Sequence, residues 1–208
     1  MALYGKEFTR AYPHELFNVA DLDDCDDITM RDINKEMALN NFTMLIAHII
    51  GIDHAGHYYL NVAHPDMERK ILDAEAMIQK VIKQMDNDTV MIVFGDHGMT
   101  DSGGHGGETS GELRTIMFAY SKGGLPIKAN KSPEVRKTFN TLQSHVKQLD
   151  MPSILAAILD LEIPFSNLGV LHPYLYTNKN GGMRGLYGRM VKQLESLDTY
   201  INEYCMQL

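Results

Sequence analysis

Tryptophan is absent from this chain, and only two cysteines, Cys25 and Cys205, occur in its 208 residues. Two cysteines build neither a disulfide framework nor a cysteine-type zinc site, and they leave the redox compartment open. Basic residues are the scarcer charge, 19 Lys and Arg against 27 Asp and Glu, for a formal net charge of −8. Such a chain repels a phosphate backbone on average, which argues against nucleic acid as a partner. Long hydrophobic runs are lacking too. The best, residues 42–52, is about half of the ~20 residues a membrane span needs, and His48 interrupts it. The first twelve residues carry Lys6, Glu7 and Arg10 without an apolar core, so no secretory leader is expected there. No internal repeat or low-complexity tract occurs. The apolar content, 44%, suffices for a core, and the length suits one domain or part of a larger one.

The first 40 residues read as polar and irregular. Within them Asp21, Asp23, Asp24, Asp26 and Asp27 form an acidic cluster without the glycine and closing glutamate of a calcium loop, so a solvated loop is expected. Residues 42–51 are a nearly continuous apolar run, the pattern of a buried parallel strand. Pro65 and Asp66 then open a helix over 66–85, with Met67, Ile71, Ala74, Met77 (or Ile78), Val81 and Met85 on one face. Residues 89–94 read as a second buried strand. Strand, helix, strand in this order predicts a right-handed crossover in a parallel sheet. Further expected elements are a strand over 114–120, a helix from Ser132 toward Lys147, a short helix over 151–161 and a final helix over 184–206. Gly181 and Gly182 read as a linker.

Three glycine-flanked clusters stand out: residues 51–57 with Asp53, His54 and His57; residues 95–99 with Asp96 and His97; and residues 103–107 with His105. The predicted strands place Asp53 and Asp96 at strand ends, where open α/β sheets bind ligands. Asp and neutral His are ordinary zinc ligands, and glycine lets backbone turn sharply around an ion. The spacing alone leaves two readings, a metal site or a glycine-rich loop region whose histidines only form hydrogen bonds.

These segments resemble the metal-binding motifs of the alkaline phosphatase superfamily. More narrowly, the chain is similar to the GPI ethanolamine phosphate transferases, and within them to the branch acting on the third mannose. The resemblance runs through residues 17–23, 45–57, 64–67, 87–89, 95–100, 105–107 and 163–169, roughly 15–170 in all. It implies an α/β fold, an alkaline-phosphatase-like mixed and mainly parallel sheet flanked by helices, with its N-terminal part missing. It also implies that residues 1–175 form a partial catalytic domain and 176–208 a linker and C-terminal helix. The implied cofactors are two divalent metal ions, zinc by family habit. Asp53, His57 and His105 match ligands of the first, and Asp96 and His97 match ligands of the second. The family's nucleophilic Thr lies well upstream. Thr9 and Thr29 do not sit in its context, so no nucleophile is assigned.

The implied reaction moves phosphoethanolamine from phosphatidylethanolamine to a mannose of the GPI precursor. Two ions suit it by activating a hydroxyl, stabilising the leaving oxygen and neutralising the transferred group. The implied setting is the lumenal side of the endoplasmic reticulum membrane, with a small membrane-protein subunit as a possible partner. There the sequons at Asn41, Asn87 and Asn130 would be usable. Two departures are visible: residues 58–63 look one residue longer than usual, and Gly104 stands where Asn or Asp is common. Around the site, His54 reads as a supporting or exposed histidine and His64 as a helix-start residue. Tyr58 and Tyr59 read as partly buried packing rather than as lining of the substrate mouth, and Glu108 as more often away from the metals than beside them. The alternatives are a soluble phosphodiesterase or phosphatase of the same superfamily, and a non-catalytic metal- or partner-binding fragment. A sheet lacking its first strands would expose an edge, so aggregation is expected.

Overall fold

A computed structural model describes residues 6–15, 17–124, 145–172 and 182–206. The chain divides into two compact units, Met1–Asp86 with Phe94–Ile116, and Asn87–Val93 with Met117–Leu208.

The first unit is helical. Helix α1 (Asp24–Leu39) starts inside the acidic cluster, which is therefore not a solvated loop, and the first 40 residues are not irregular throughout. Asp24, Asp26 and Asp27 fill its first turn, where the helix dipole favours negative charge. Asp21 Oδ1 turns the chain into the helix by accepting from the Asp23 and Asp24 N–H groups at 3.2 and 2.8 Å. Asn40, in the left-handed region at φ 45°, ends it. The preceding segment is tied back to α1, because the Arg10 guanidinium and the Tyr12 hydroxyl both donate to Glu36.

The expected strand over 42–51 is not formed. Met44 and Ile46 are exposed, the latter at 63%, and no strand pairs with this run among the described residues. A strand exists only where a neighbour completes its ladder. Here the end of the run is held by α1 side chains instead, and helix α2 (Gly51–Tyr59) follows at once.

Helix α3 (Pro65–Gln84) appears where periodicity predicted it. His64 caps it, its Nδ1 accepting from the Asp66 N–H at 3.2 Å, with Pro65 in the first turn. Its inner face runs through Met67, Lys70, Ala74 and Val81 rather than through Ile71, which is exposed. Lys70 takes that inward place because carboxylates of α1 meet it there. α3 packs on both α1 and α2.

The second unit holds the sheet. Strand β1 (Met91–Phe94) pairs with β2 (Met117–Tyr120) as a two-stranded antiparallel ribbon. The mainly parallel sheet and the crossover expected from the sequence are not found among the described residues. Helix α5 (Met151–Leu159) covers the ribbon, with Met151 and Ile154 packed on Ile92, Met117 and Ala119. The helix expected from Ser132 falls largely outside the described residues. The final helix, α6 (Gly182–Cys205), begins one residue into the predicted linker and is tied to this unit by Gln193, which reaches Ser153 and the Gly169 carbonyl. No helix among the described residues is long and apolar enough to cross a membrane.

Asp150, 2% exposed, organises the turn before α5. It accepts from the Lys147 and Val170 N–H groups and lies 2.9 Å from His172 Nε2. Burial opposes its ionisation, but the Val170 N–H, His172 and the Lys147 N–H outweigh burial and hold its pKa below the ordinary carboxylate value. A depressed carboxylate contributes stability above its unfolded pKa and loses it as pH falls through the folded one. Asp150→Asn should therefore lower thermal stability at neutral pH, by about 1–3 kcal/mol. It should also flatten the loss of stability that the wild type shows below about pH 4. Melting curves from pH 7 to pH 3 check both.

Candidate metal centre

Asp53 and His57 do not follow a strand, as the sequence reading had it. They sit one turn apart on α2, so their side chains share a face. Asp96 and His97 come from the loop after β1, and His105 from a glycine-rich loop before the short helix α4 (Ser110–Leu113). All five residues belong to the first unit and line one cleft of about 380 Å³, with Phe17, Val19 and Ile49 on its wall.

Asp53 is the centre of the arrangement. Its Oδ1 lies 3.3 Å from His105 Nε2, 3.6 Å from His57 Nε2 and 4.0 Å from His97 Nε2. This oxygen is fully buried and has no hydrogen-bond partner. One ligand atom each from Asp53, His97 and His105 lies within 4.8 Å of the others. The His97 and His105 rings stack at 3.7 Å, and the His57 and His105 rings tilt at 4.9 Å. Asp96 is the most open member, its Oδ1 3.7 Å from His97 Nε2.

The protons are partly fixed. His97 Nδ1 lies 2.9 Å from the Gly98 carbonyl, which can only accept, so Nδ1 carries the hydrogen. In the neutral ring, Nε2 then presents a lone pair toward the Asp53 carboxylate. Two acceptors facing each other in a buried site repel unless positive charge lies between them. Ligand atoms sharing a tetrahedral zinc at ~2.0–2.1 Å stand roughly 3.3–3.4 Å apart. The shortest Asp53 distance, to His105, equals that value, and the other two exceed it by a few tenths of an ångström. The donor set fits a divalent cation. His97 Nε2 stands farthest of the three from Asp53 Oδ1, at 4.0 Å, and lies 3.7 Å from Asp96 Oδ1.

The loops are held by backbone close approach. Gly98 N–H donates to the Glu112 carbonyl at 2.7 Å, and Thr100 closes a turn on Gly104 through backbone and hydroxyl. Gly103 is left-handed at φ 76° and lies against the Gly56 backbone of α2. Glu112 accepts from the Gly107 N–H and from Thr109 in a capping box. The Thr109 hydroxyl above all, then the Gly107 N–H, pulls its pKa below the usual carboxylate range.

Of the surrounding residues, His64 is the helix start expected, stacked at 3.5 Å on Tyr59. Tyr59 donates to Asp66 at 2.6 Å, whereas Tyr58 is exposed. Glu108 is exposed. His54 is 1% exposed, borders the same cleft and has its Nδ1 2.5 Å from the Asp21 carbonyl. Sequence reasoning missed Asp26, Lys70 and Glu112. The Thr109–Glu112 spacing was a legible capping signal. Lys70 on an otherwise apolar helix face was a weaker one.

Residues 6–151 match the type I phosphodiesterase / nucleotide pyrophosphatase family, and the chain belongs to it. Within that class it is similar to GPI ethanolamine phosphate transferase 3. It is 34% identical to the human catalytic subunit over 84% of this chain and 15% of the relative. It is 34% identical to the Saccharomyces cerevisiae protein over 76% of this chain and 16% of the relative. It is 30% identical to GPI ethanolamine phosphate transferase 2 of Kluyveromyces lactis over 82% of this chain and 23% of that protein. The chain thus spans about one sixth of the length of the transferase 3 relatives. No solved structure matches.

Three glycines near the centre should rank by physical cause. Gly103→Ala meets both a left-handed φ and the Gly56 backbone. Gly106→Ala meets only its φ of 97°, with open space around it. Gly104→Ala meets neither constraint. Thermal denaturation should show the largest loss for Gly103→Ala. Gly106→Ala should cost about 1–2 kcal/mol, and Gly104→Ala less.

Proposed function

We propose that this chain carries the metal-binding part of a phosphoethanolamine transferase of GPI-anchor assembly. The observation that supports this best is the buried, unpartnered Asp53 Oδ1 facing three imidazole nitrogens. Asp53, His57 and His105 are read as the holders of one divalent ion, and Asp96 and His97 as contributing to a second, zinc in both cases. Ions bound there would neutralise the phosphoryl oxygens and acidify a hydroxyl nucleophile. The Gly98 carbonyl fixes the His97 tautomer so that Nε2 faces the site. Asp96 stands at the open side, where an incoming phosphodiester meets the centre. No nucleophile is assigned within the chain. The Thr29 hydroxyl points to the His48 carbonyl, and that of Thr100 is engaged in its own turn.

On this reading the donor is phosphatidylethanolamine and the acceptor is a mannose of the GPI precursor, the third by similarity to transferase 3. The setting is the lumenal face of the endoplasmic reticulum, beside a small membrane subunit. Residues 1–175 are the catalytic portion and 176–208 its C-terminal extension.

The purified chain should retain zinc after dialysis. Asp53→Asn and His105→Ala should lose at least about tenfold in zinc affinity, measured by competition with a chromogenic chelator. A wild-type chain that binds no divalent metal at micromolar concentration would sink the proposal. Brisk hydrolysis of a nitrophenyl phosphodiester without lipid would favour the soluble phosphodiesterase instead.

A further inference from the structure

Helix α2 begins without a cap of its own. Ile50 occupies the cap position and offers no side-chain acceptor. The first N–H groups of a helix need partners, and at a buried end they cannot find water. Here the partner comes from another helix. Asp26 of α1, 4% exposed, accepts from the Ile50 N–H at 2.8 Å through Oδ1. Both of its oxygens lie 3.2 Å from the Gly51 nitrogen. A carboxylate at this place is also where the α2 dipole favours negative charge.

The charge is balanced from a third helix. Lys70 of α3, 2% exposed, reaches Asp26 Oδ2 at 3.0 Å and Asp23 Oδ1 at 3.2 Å, with Asp73 at 3.8 Å. Arg69 takes the outer side of Asp23 and Asp73. The fit leaves no room at Gly51, where an added Cβ would meet Lys70 Cε, Asp26 Oδ2 and the Leu22 carbonyl. Two more contacts hold α2 and the segment leading into it. The Asp21 carbonyl takes the His54 Nδ1 hydrogen, and the Thr29 hydroxyl donates to the His48 carbonyl at 3.4 Å.

We infer that Asp26 is a positioning residue for the metal centre: it caps α2 from outside, with Lys70 as its counter-charge, and so fixes where Asp53 and His57 stand. Asp53 is the third residue of α2 and His57 the seventh. A helix that starts one residue late, or tilts at its first turn, moves both side chains at once. The inference rests on reading Asp53 and His57 as ligand-bearing, and its test separates the two.

The test uses the 208-residue chain with Asp26→Ala and Asp26→Asn. Amide hydrogen exchange of residues 50–57 and the His57 imidazole signals are read by NMR without metal, and zinc affinity is read by chelator competition. Asp26→Ala should speed exchange at Ile50 and Gly51 by more than about tenfold. It should shift the His57 signals and weaken zinc binding about 10–100-fold. Asp26→Asn gives up the charge facing Lys70 and so lowers global stability, but it still offers an oxygen to Gly51, and the folded chain should stay within about threefold of wild type in zinc affinity. A folded Asp26→Ala chain with wild-type exchange, imidazole signals and affinity overturns the inference. So does Asp26→Asn losing as much as Asp26→Ala, because bulk stability rather than the acceptor would then be responsible. If Asp26→Ala does not fold, Asp26→Asn decides: kept protection and affinity support the inference, loss of both overturns it. A wild type that takes up no zinc sinks the metal reading alone, while exchange and imidazole signals still decide the role of Asp26.

Discussion

The Asp26–Lys70 pair is the constraint on which the first unit depends. Each group is almost wholly removed from water, where a charge needs a partner, and Lys70 Nζ lies 3.0 Å from Asp26 Oδ2. Removing one partner of such a pair typically costs about 3–5 kcal/mol, because the survivor is left buried and unpaired. Burial works against the Lys70 ammonium, but hydrogen bonding and charge from Asp26, then Asp23, outweigh it and raise its pKa. A raised lysine contributes its stability fully below its ordinary value and loses it only as pH rises through the higher folded one. The Lys70 ammonium therefore persists through neutral pH. Since the pair joins three helices at one point, the geometry of α2 follows from it.

The candidate metal centre shows the opposite electrostatic arrangement. Around Lys70, carboxylates and cations meet in pairs. Around Asp53, a carboxylate oxygen is buried among imidazoles with nothing donated to it. A folded chain tolerates an unpaired buried acceptor only where something else supplies the charge. Asp26 meets the start of α2, the short helix that carries Asp53 as its third residue. The satisfied pair caps the helix that carries the unsatisfied oxygen, the relation that supporting contacts have to the ligands they orient.

How much of this the sequence disclosed depended on whether the signal was local. Helix α3 was legible because its periodicity and its His64–Pro65 start are written within twenty residues. The five Asp and His residues were legible because glycine flanks them. The partners of residues 42–51 were not, since a continuous apolar run fixes burial only when a neighbouring strand is present. Asp26 was hidden inside a cluster whose composition says solvent. Its burial is decided by Lys70, 44 positions further on, and no local pattern links the two. Placing Asp53 at a strand end failed for the same reason, whereas Asp96 does follow β1.

The segment 163–169 was one of the most specific parts of the resemblance. Asn167 there accepts from Ser153 and from the Gly169 N–H, and donates to the Leu149 carbonyl. Gly169 lies so close to Leu149 that no side chain would fit. These residues serve as a staple between α5 and the chain that follows it, within the second unit. A lineage could therefore lose its chemistry and still keep this string, because selection for folding alone would preserve it.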